Sequence, residues 1–272
     1  MAKPQILLVN DMAGYGKVAT AAMLPILSYM GYSTYNLPTA LVSNTLDYGK
    51  FSILDTTNYI RSVFPVWKTL GFSFNAIATG FIASETQAQL IAAYCREQAS
   101  QGVAIFVDPI MGDEGKLYNG VTESTIQSMR EMVGVANLTY PNLTEACFLT
   151  ATPYPANGMS EEEGYGLVDR MRQLGAKSVL ITSATIDGQP AVIGFNDKTG
   201  DHFTLHYSVI PVRFPGTGDI FSAVLIGHLL NNESLEQSTR SAMDIVYKLI
   251  DLNKENKDKF RGIPIENYLS LL

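Results

Sequence analysis

Apolar residues come in short, spaced runs, and most runs end in a polar turn containing glycine or proline. Residues 6–9 (Ile6-Leu7-Leu8-Val9) open the series, followed by 35–42, 76–81, 103–109, 137–140 and 178–183. The runs at 6–9, 103–109 and 178–183 have the look of strands buried on both faces. Helical periodicity fills the intervals. After the first run, Ala21, Leu24, Leu27 and Met30 recur on or near one face, with Pro25 as a kink position and Gly31 as the stop. Residues 56–70 carry a second helical pattern, which Pro65 is expected to kink or break. Ser84 with Gln87 three residues on marks the start of a third, closed near 101 by Gly102. Further helices are predicted over 122–133, from 142 onward, over 160–174 before Gly175, and over 219–231 and 235–252. Strand and helix in alternation predict an α/β fold with a mostly parallel sheet. Late in the chain, 191–195 and 202–207 bracket Asn196-Asp197-Lys198-Thr199-Gly200-Asp201, turn residues that predict a hairpin and hence some antiparallel strands. With no internal repeat, linker or low-complexity segment, residues 1–272 are expected to form a single domain.

Composition narrows the partners. The 272 residues are 46% hydrophobic and 17% charged, which suits a folded domain with a sizeable core. The net charge of −7 and the lack of a basic run argue against nucleic acid or an anionic membrane as partner. No apolar run approaches membrane-spanning length. Met1-Ala2-Lys3-Pro4 leads straight into a strand, so no secretory leader is expected. Cys95 and Cys147 are far apart, without metal or redox spacing, which fits reduced thiols in the cytoplasm. His202, His206 and His228 form no ligand pattern, and the first two read as strand residues. Glu161-Glu162-Glu163 in a first helical turn reads as a solvated face.

Candidate chemistry collects where strands end. Phe214-Pro215-Gly216-Thr217-Gly218-Asp219 leads into an apolar helix. Helix N-termini expose unpaired N–H groups with partial positive charge, and glycines let a phosphate approach them closely. Asp219 there is placed to take a proton from a hydroxyl attacking a phosphate held by Gly216, Thr217 and Gly218. The plain alternative is helix capping by Thr217 or Asp219. Asp11, after the first apolar run, occupies the position where open sheets bind ligands, or caps the next helix. The following Gly14-Tyr15-Gly16 lacks the GxGxxG spacing, so a dinucleotide site is not supported. Asn142 and Glu145, at i and i+3 on a helix start, either share a hydrated Mg²⁺ with phosphates or form a capping box; spacing alone favours the box. Asp11, Gly80, Asp108, Asn142, Thr182 and Asp219 all fall at predicted strand ends or the turns after them. Phosphoryl transfer needs such a set: a base, dipoles for phosphate oxygens, and oxygens for Mg²⁺. Neither a GxxxxGK[ST] loop nor the protein-kinase motif set is present.

Three motifs in order, Asp108-Pro109-Ile110-Met111-Gly112-Asp113, Pro141-Asn142-Leu143-Thr144-Glu145 and Gly216-Thr217-Gly218-Asp219, resemble the ribokinase superfamily, and within it the pyridoxal/pyridoxamine (vitamin B6) kinases. The likeness runs nearly end to end, through Asn10-Asp11-Met12-Ala13-Gly14-Tyr15-Gly16 and Leu37-Pro38-Thr39-Ala40. It implies an α/β/α sandwich, ATP and Mg²⁺, often K⁺ or Na⁺, usually a homodimer, and transfer of the γ-phosphate to a pyridine 5′-hydroxymethyl. By position it implies Asp219 as base, with Gly216, Thr217 and Gly218 as anion hole. Asp108, Asn142 and Glu145 would organise the metal, and Asp113 would line the phosphate region. Tyr118 would lie in a flap over the nucleotide, with Thr182 and Ser183 contacting it. Asp11, Ser43 and Phe81 would face the pyridine. Phe81 stands where a tyrosine is common, Thr45-Leu46 replaces a His-Thr pair, and Tyr140 replaces a threonine. These departures touch substrate choice, so hydroxymethylpyrimidine or another small alcohol stays open as substrate. A catalytically idle ligand-binding regulator is the alternative from a different class.

Overall fold

Strand β1 (Gln5–Ala13) is longer than its apolar run, because it continues through Asn10 and Asp11. The computed structural model describes residues 3–118 and 121–272. After β1 come α1 (Thr20–Tyr29), β2 (Ser33–Val42), β3 (Ile53–Asp55), α2 (Thr57–Leu70) and β4 (Ala76–Thr79). The middle of the chain supplies α3 (Glu85–Ser100), β5 (Ala104–Val107), the short β6 (Gly112–Asp113) and β7 (Lys116–Leu117), α4 (Glu123–Val133), β8 (Leu138–Thr139), α5 (Leu143–Thr150), α6 (Glu161–Gln173), β9 (Ser178–Ile186), β10 (Gln189–Asn196) and β11 (Asp201–His206). Helices α7 (Thr217–Leu230) and α8 (Leu235–Asn253) follow. The chain folds as two compact units, Met1–Phe81 with Val209–Leu272, and Ile82–Ser208.

In the first unit β1 lies between β2 and β4, parallel to both, and β3 pairs antiparallel with β2. Ile6, Leu7, Leu8, Leu37 and Ile77 are fully buried there, as expected of strands covered on both faces. Helix α7 is apolar on all sides and buried from Ile220 to Gly227. In the second unit β5, β8 and β9 run parallel, while β10 and β11 add antiparallel to β9 and to each other. The fold is thus α/β with a mostly parallel sheet and antiparallel additions.

Several elements differ from their sequence pattern. Asp11 lies inside β1, not beyond it, at a register irregularity between Asn10 and Met12 against β2. The buried face of α1 is Ala22, Met23, Ile26 and Leu27; of the expected face Leu27 is buried, while Ala21, Leu24 and Met30 are partly exposed. That helix is apolar almost throughout, and packing rather than periodicity picks its buried side. Pro25 and Pro65 lie inside α1 and α2 without ending either helix. Strand β3 escaped notice because Ile53, Leu54 and Asp55 are all exposed and show no alternation. Strand β9 continues past Ser183 to Ile186 and turns through Asp187 and Gly188 into β10, a hairpin not expected from the pattern. The loop after β5 contains the β6–β7 hairpin, turned by Glu114 and Gly115 in the left-handed region at φ 50° and 77°.

Candidate active site

The first unit gathers polar groups around the start of α7. Gly216 sits at φ 86°, and a Cβ there would lie 2.2 Å from the Lys17 carbonyl oxygen. Only glycine fits both the left-handed backbone and this close approach. Thr217 donates its hydroxyl to the Phe214 carbonyl at 3.2 Å, closing the turn. A Cβ on Gly218 would meet nothing within 4 Å. The backbone there is open to an approaching group.

Asp219, in the first turn of α7, is held by both oxygens. Ala19 N–H donates to Oδ2 at 2.7 Å, and Asn10 Nδ2 reaches Oδ1 at 3.5 Å. Ala19 adopts φ 49°, ψ −134°, a strained backbone for alanine, while it holds that oxygen. Burial pushes the Asp219 carboxyl up to about 6, against the pull of the bonds from Ala19 and Asn10. Burial, then the neighbouring Asp219 charge, pushes Asp11 up to about 7. The Asp219 charge reaches Asp11, so the two carboxyls are linked, and both are raised toward neutrality.

Asn10 is the residue that sequence reasoning missed. It is 2% exposed. Its Oδ1 accepts from Asp11 N–H at 2.9 Å and Phe81 N–H at 2.8 Å, while its Nδ2 serves Asp219. A Cβ on Gly80 would fall 2.4 Å from the Asn10 Cγ, so Gly80 is glycine to make room for this amide. The available signal was an amide directly between an apolar run and Asp11. Phe81 is fixed a second time, by Thr39 Oγ1 donating to its carbonyl at 2.6 Å. Ser43 joins through backbone, its carbonyl accepting from Tyr15 N–H at 3.0 Å, while its hydroxyl accepts from Ser52 N–H.

The second unit builds a different cluster at the start of α5. Asn142 and Glu145 form a full capping box: Asn142 Oδ1 accepts from Glu145 N–H at 3.0 Å and Glu145 Oε2 from Asn142 N–H at 2.9 Å. Glu145 Oε1 accepts from Met111 N–H at 3.0 Å, and Asn142 Nδ2 donates to the Gly112 carbonyl at 2.8 Å. The pair therefore anchors the β6–β7 hairpin as well as the helix. Thr144 Oγ1 accepts from Gly115 N–H at 2.8 Å, a third tie to the hairpin. Tyr118 leaves that hairpin exposed. Burial raises Glu145 to about 8; bonds from Met111, Asn142 and Gly112 oppose this, and the Asp113 charge adds to it. Asp108, following β5, and Asp113 are half-buried. Thr182 bridges backbone to Asn142, and Ser183 takes φ 57° at the irregularity between β9 and β10. Bulges of this kind re-aim side chains.

The structure thus brings Asp11, Phe81 and residues 216–219 into the first unit's cluster, while Ser43 is bonded to the turn after β1 through Tyr15. Asp113, Asn142, Glu145 and Thr182 meet in the second, with Asp108, Tyr118 and Ser183 on the elements that carry it. Among the described residues, no group of three or more His, Cys, Asp or Glu forms a metal cage. The donors fit Mg²⁺ in another way. Asp108 and Asp113 are half-buried carboxylates on the elements that carry this cluster, and Mg²⁺ usually keeps several waters and takes few protein oxygens.

The chain belongs to the phosphomethylpyrimidine kinase family, whose model matches residues 28–263. It is similar to a Bacteroides thetaiotaomicron structure with a provisional phosphomethylpyrimidine kinase name, at 31% identity and a TM-score of 0.94, over 99% of this chain and 93% of that one. A second crystal form of that protein, with pyridoxal, matches at a TM-score of 0.92 and 31% identity over 98% and 95% of the two chains. A pyridoxal kinase of Arabidopsis thaliana is 34% identical over 57% of this chain, a match that spans half of the plant protein. The pyridoxal kinase PdxY of Deinococcus radiodurans is 26% identical over 91% of this chain and 86% of its own. The family and fold expected from the three motifs are those found.

Proposed function

We propose that residues 1–272 work as one kinase domain that moves the γ-phosphoryl group of ATP to the 5′-hydroxymethyl of pyridoxal, pyridoxamine or pyridoxine. The observation that carries this reading is Asp219 on the first turn of a buried helix. It is held by Ala19 N–H and Asn10, with a pKa lifted toward neutrality. A base works best with a pKa near the working pH, and a phosphate oxygen is best met by free N–H groups at a helix start. Asp219 takes the proton of the attacking hydroxyl. Thr217 and Gly218 N–H groups, behind the turn that Gly216 permits, stabilise charge on the transferred group. Asp11, Ser43 and Phe81 hold the ring. Asp113, Tyr118, Thr182 and Ser183 hold the nucleotide. Asp108 and Asp113 offer oxygens toward a hydrated Mg²⁺, and Asn142 and Glu145 set the hairpin that carries Asp113. When bound, Mg²⁺ neutralises phosphate charge; K⁺ or Na⁺ would add to this. Support for B6 vitamers over hydroxymethylpyrimidine comes from the relatives named pyridoxal kinase and from the similar structure with pyridoxal.

The test is ADP release with each of the three vitamers and with hydroxymethylpyrimidine. Turnover of a vitamer is expected; turnover of the pyrimidine alone would reassign the substrate. In the same assay Asp219→Asn should lower kcat by at least ~10²-fold with nucleotide binding kept. An unchanged rate would remove Asp219 as base, and nucleotide binding without turnover by the wild type would favour an idle regulator.

A further inference from the structure

Three exposed aromatic rings from distant segments meet in the first unit. Tyr15 lies in the turn after β1, Tyr48 in the loop between β2 and β3, and Phe260 after α8. They are 51%, 37% and 50% exposed. Ring centroids are 6.0 Å apart for Tyr15 and Tyr48 and 5.7 Å for Tyr48 and Phe260, the latter edge-on at 85°. Asp258 Oδ2 accepts the Tyr48 hydroxyl at 2.6 Å, and Arg213 Nη1 pairs with Asp47 at 3.1 Å. The loop carrying Tyr48 is therefore fixed from two sides by exposed contacts. A rigid aromatic surface in water is a costly thing to order unless it meets something apolar and flat.

Backbone bonds stitch this surface to the catalytic turn. Gly14 N–H donates to the Val42 carbonyl at 2.7 Å, Tyr15 N–H to Ser43 at 3.0 Å, and Thr45 N–H back to Tyr15 at 2.9 Å. Lys17 N–H donates to the Arg261 carbonyl at 2.9 Å. Cβ atoms on Gly216 and Gly262 would lie 2.2 and 2.8 Å from the Lys17 carbonyl oxygen, so that oxygen is enclosed by both segments. Two residues later Ala19 holds Asp219. The same 14–19 turn thus carries one ring of the aromatic surface, the donor to the base, and the contact with the Gly216 turn.

We propose that Tyr15, Tyr48 and Phe260 form a wall that packs against the flat ring of the acceptor alcohol, and that Asp258 is the positioning residue that fixes Tyr48 in it. The proposal rests on the reading of Asp219 as the base for an aromatic alcohol. It adds residues outside the motifs, from the loop between β2 and β3 and from the segment after α8. The Tyr48–Asp258 bond is solvent-exposed, so its loss should cost little stability.

The experiment is calorimetric titration of pyridoxamine, and separately of hydroxymethylpyrimidine, into wild type, Tyr48→Phe, Asp258→Ala, the double variant and Tyr48→Ala, each with a non-hydrolysable ATP analogue. KM values are measured alongside, with melting temperature as the folding control. For the ring that wild type binds, Tyr48→Phe and Asp258→Ala, each of which removes the bond between these side chains, should each weaken affinity about threefold to tenfold. The double variant should be no worse than either single one, because both remove the same bond. Tyr48→Ala should weaken it further, with KM for ATP unchanged in every case. Ring affinity unchanged in Tyr48→Ala would overturn the proposal, as would a wild type that binds neither ring. Binding of the pyrimidine alone, weakened by these variants, would keep the wall and remove the B6 assignment.

Discussion

At the scale of residues, the first cluster is governed by two acids and one amide. Asp11 has an ordinary value of 3.8 and is raised to about 7, so the fold holds its proton more tightly than the unfolded chain does. The stability this gives is full below about 4 and is lost as pH rises through about 7. Asp11→Asn is therefore expected to raise the melting temperature at pH 8 by about 2 °C or more and to change it little at pH 4. Scanning calorimetry at the two pH values checks this, and equal shifts at both would contradict the pairing. The base must be ionised to work, so kcat/KM should rise from pH 5 to 8 along a limb set by the pair. Removing the Asp11 charge should move that limb to lower pH. The two glycines of the turn separate fold from function. Gly216→Ala meets a forbidden φ and the Lys17 carbonyl and should cost ~1–3 kcal/mol of stability. Gly218→Ala adds a methyl to open space inside a helix, where alanine is favoured by ~0.5–1 kcal/mol over glycine. It should melt no lower than wild type while raising KM for ATP severalfold. A Gly218→Ala enzyme with normal kinetics would show that phosphate does not approach that backbone.

At the scale of elements, capping and anchoring are one device. Helix α5 starts with a box whose two side chains also hold the β6–β7 hairpin, through Met111 and Gly112. Glu145→Gln leaves one acceptor oxygen for two backbone donors, so it can keep the Asn142 N–H bond only by losing the one from Met111. It should lower the melting temperature and weaken Mg²⁺-dependent activity about tenfold or more, because the hairpin that carries Asp113 loses one of its anchors. Activity assayed across Mg²⁺ concentrations tests this. An unchanged Mg²⁺ dependence would limit Glu145 to its structural role. Boxes without a hairpin to hold, as at Ser160 and Glu163, leave their side chains exposed and serve the helix alone.

At the scale of the whole molecule, no helix among the described residues is long and apolar enough to cross a membrane. Both cysteines are buried and free, in keeping with the absence of any redox spacing. Exposed Leu41, Ile53 and Leu54 line the β2–β3 edge, where Leu41 pairs with Leu54. Unpaired apolar edges favour association. A homodimer is the expected state in solution, and sedimentation at micromolar concentration should give twice the mass of 29.7 kDa. A single species at the monomer mass would reject it.

Much of the fold was legible in the chain because its signals are local. Ile6 to Val9 reads as a strand, Ser84 and Gln87 as a helix start, and Asn196 to Asp201 as a hairpin turn, from the residues themselves. The order of the three motifs likewise gave the family, since spacing along a chain survives without coordinates. What the tertiary structure alone decided depends on burial and on contacts across long separations. Which side of α1 is buried, the role of Asn10, the glycine at 80 that makes room for it, and the meeting of Tyr15, Tyr48 and Phe260 all arise between segments that share no local pattern. A proton affinity such as that of Asp11 belongs to the same class, because desolvation exists only once the chain has closed around the carboxyl.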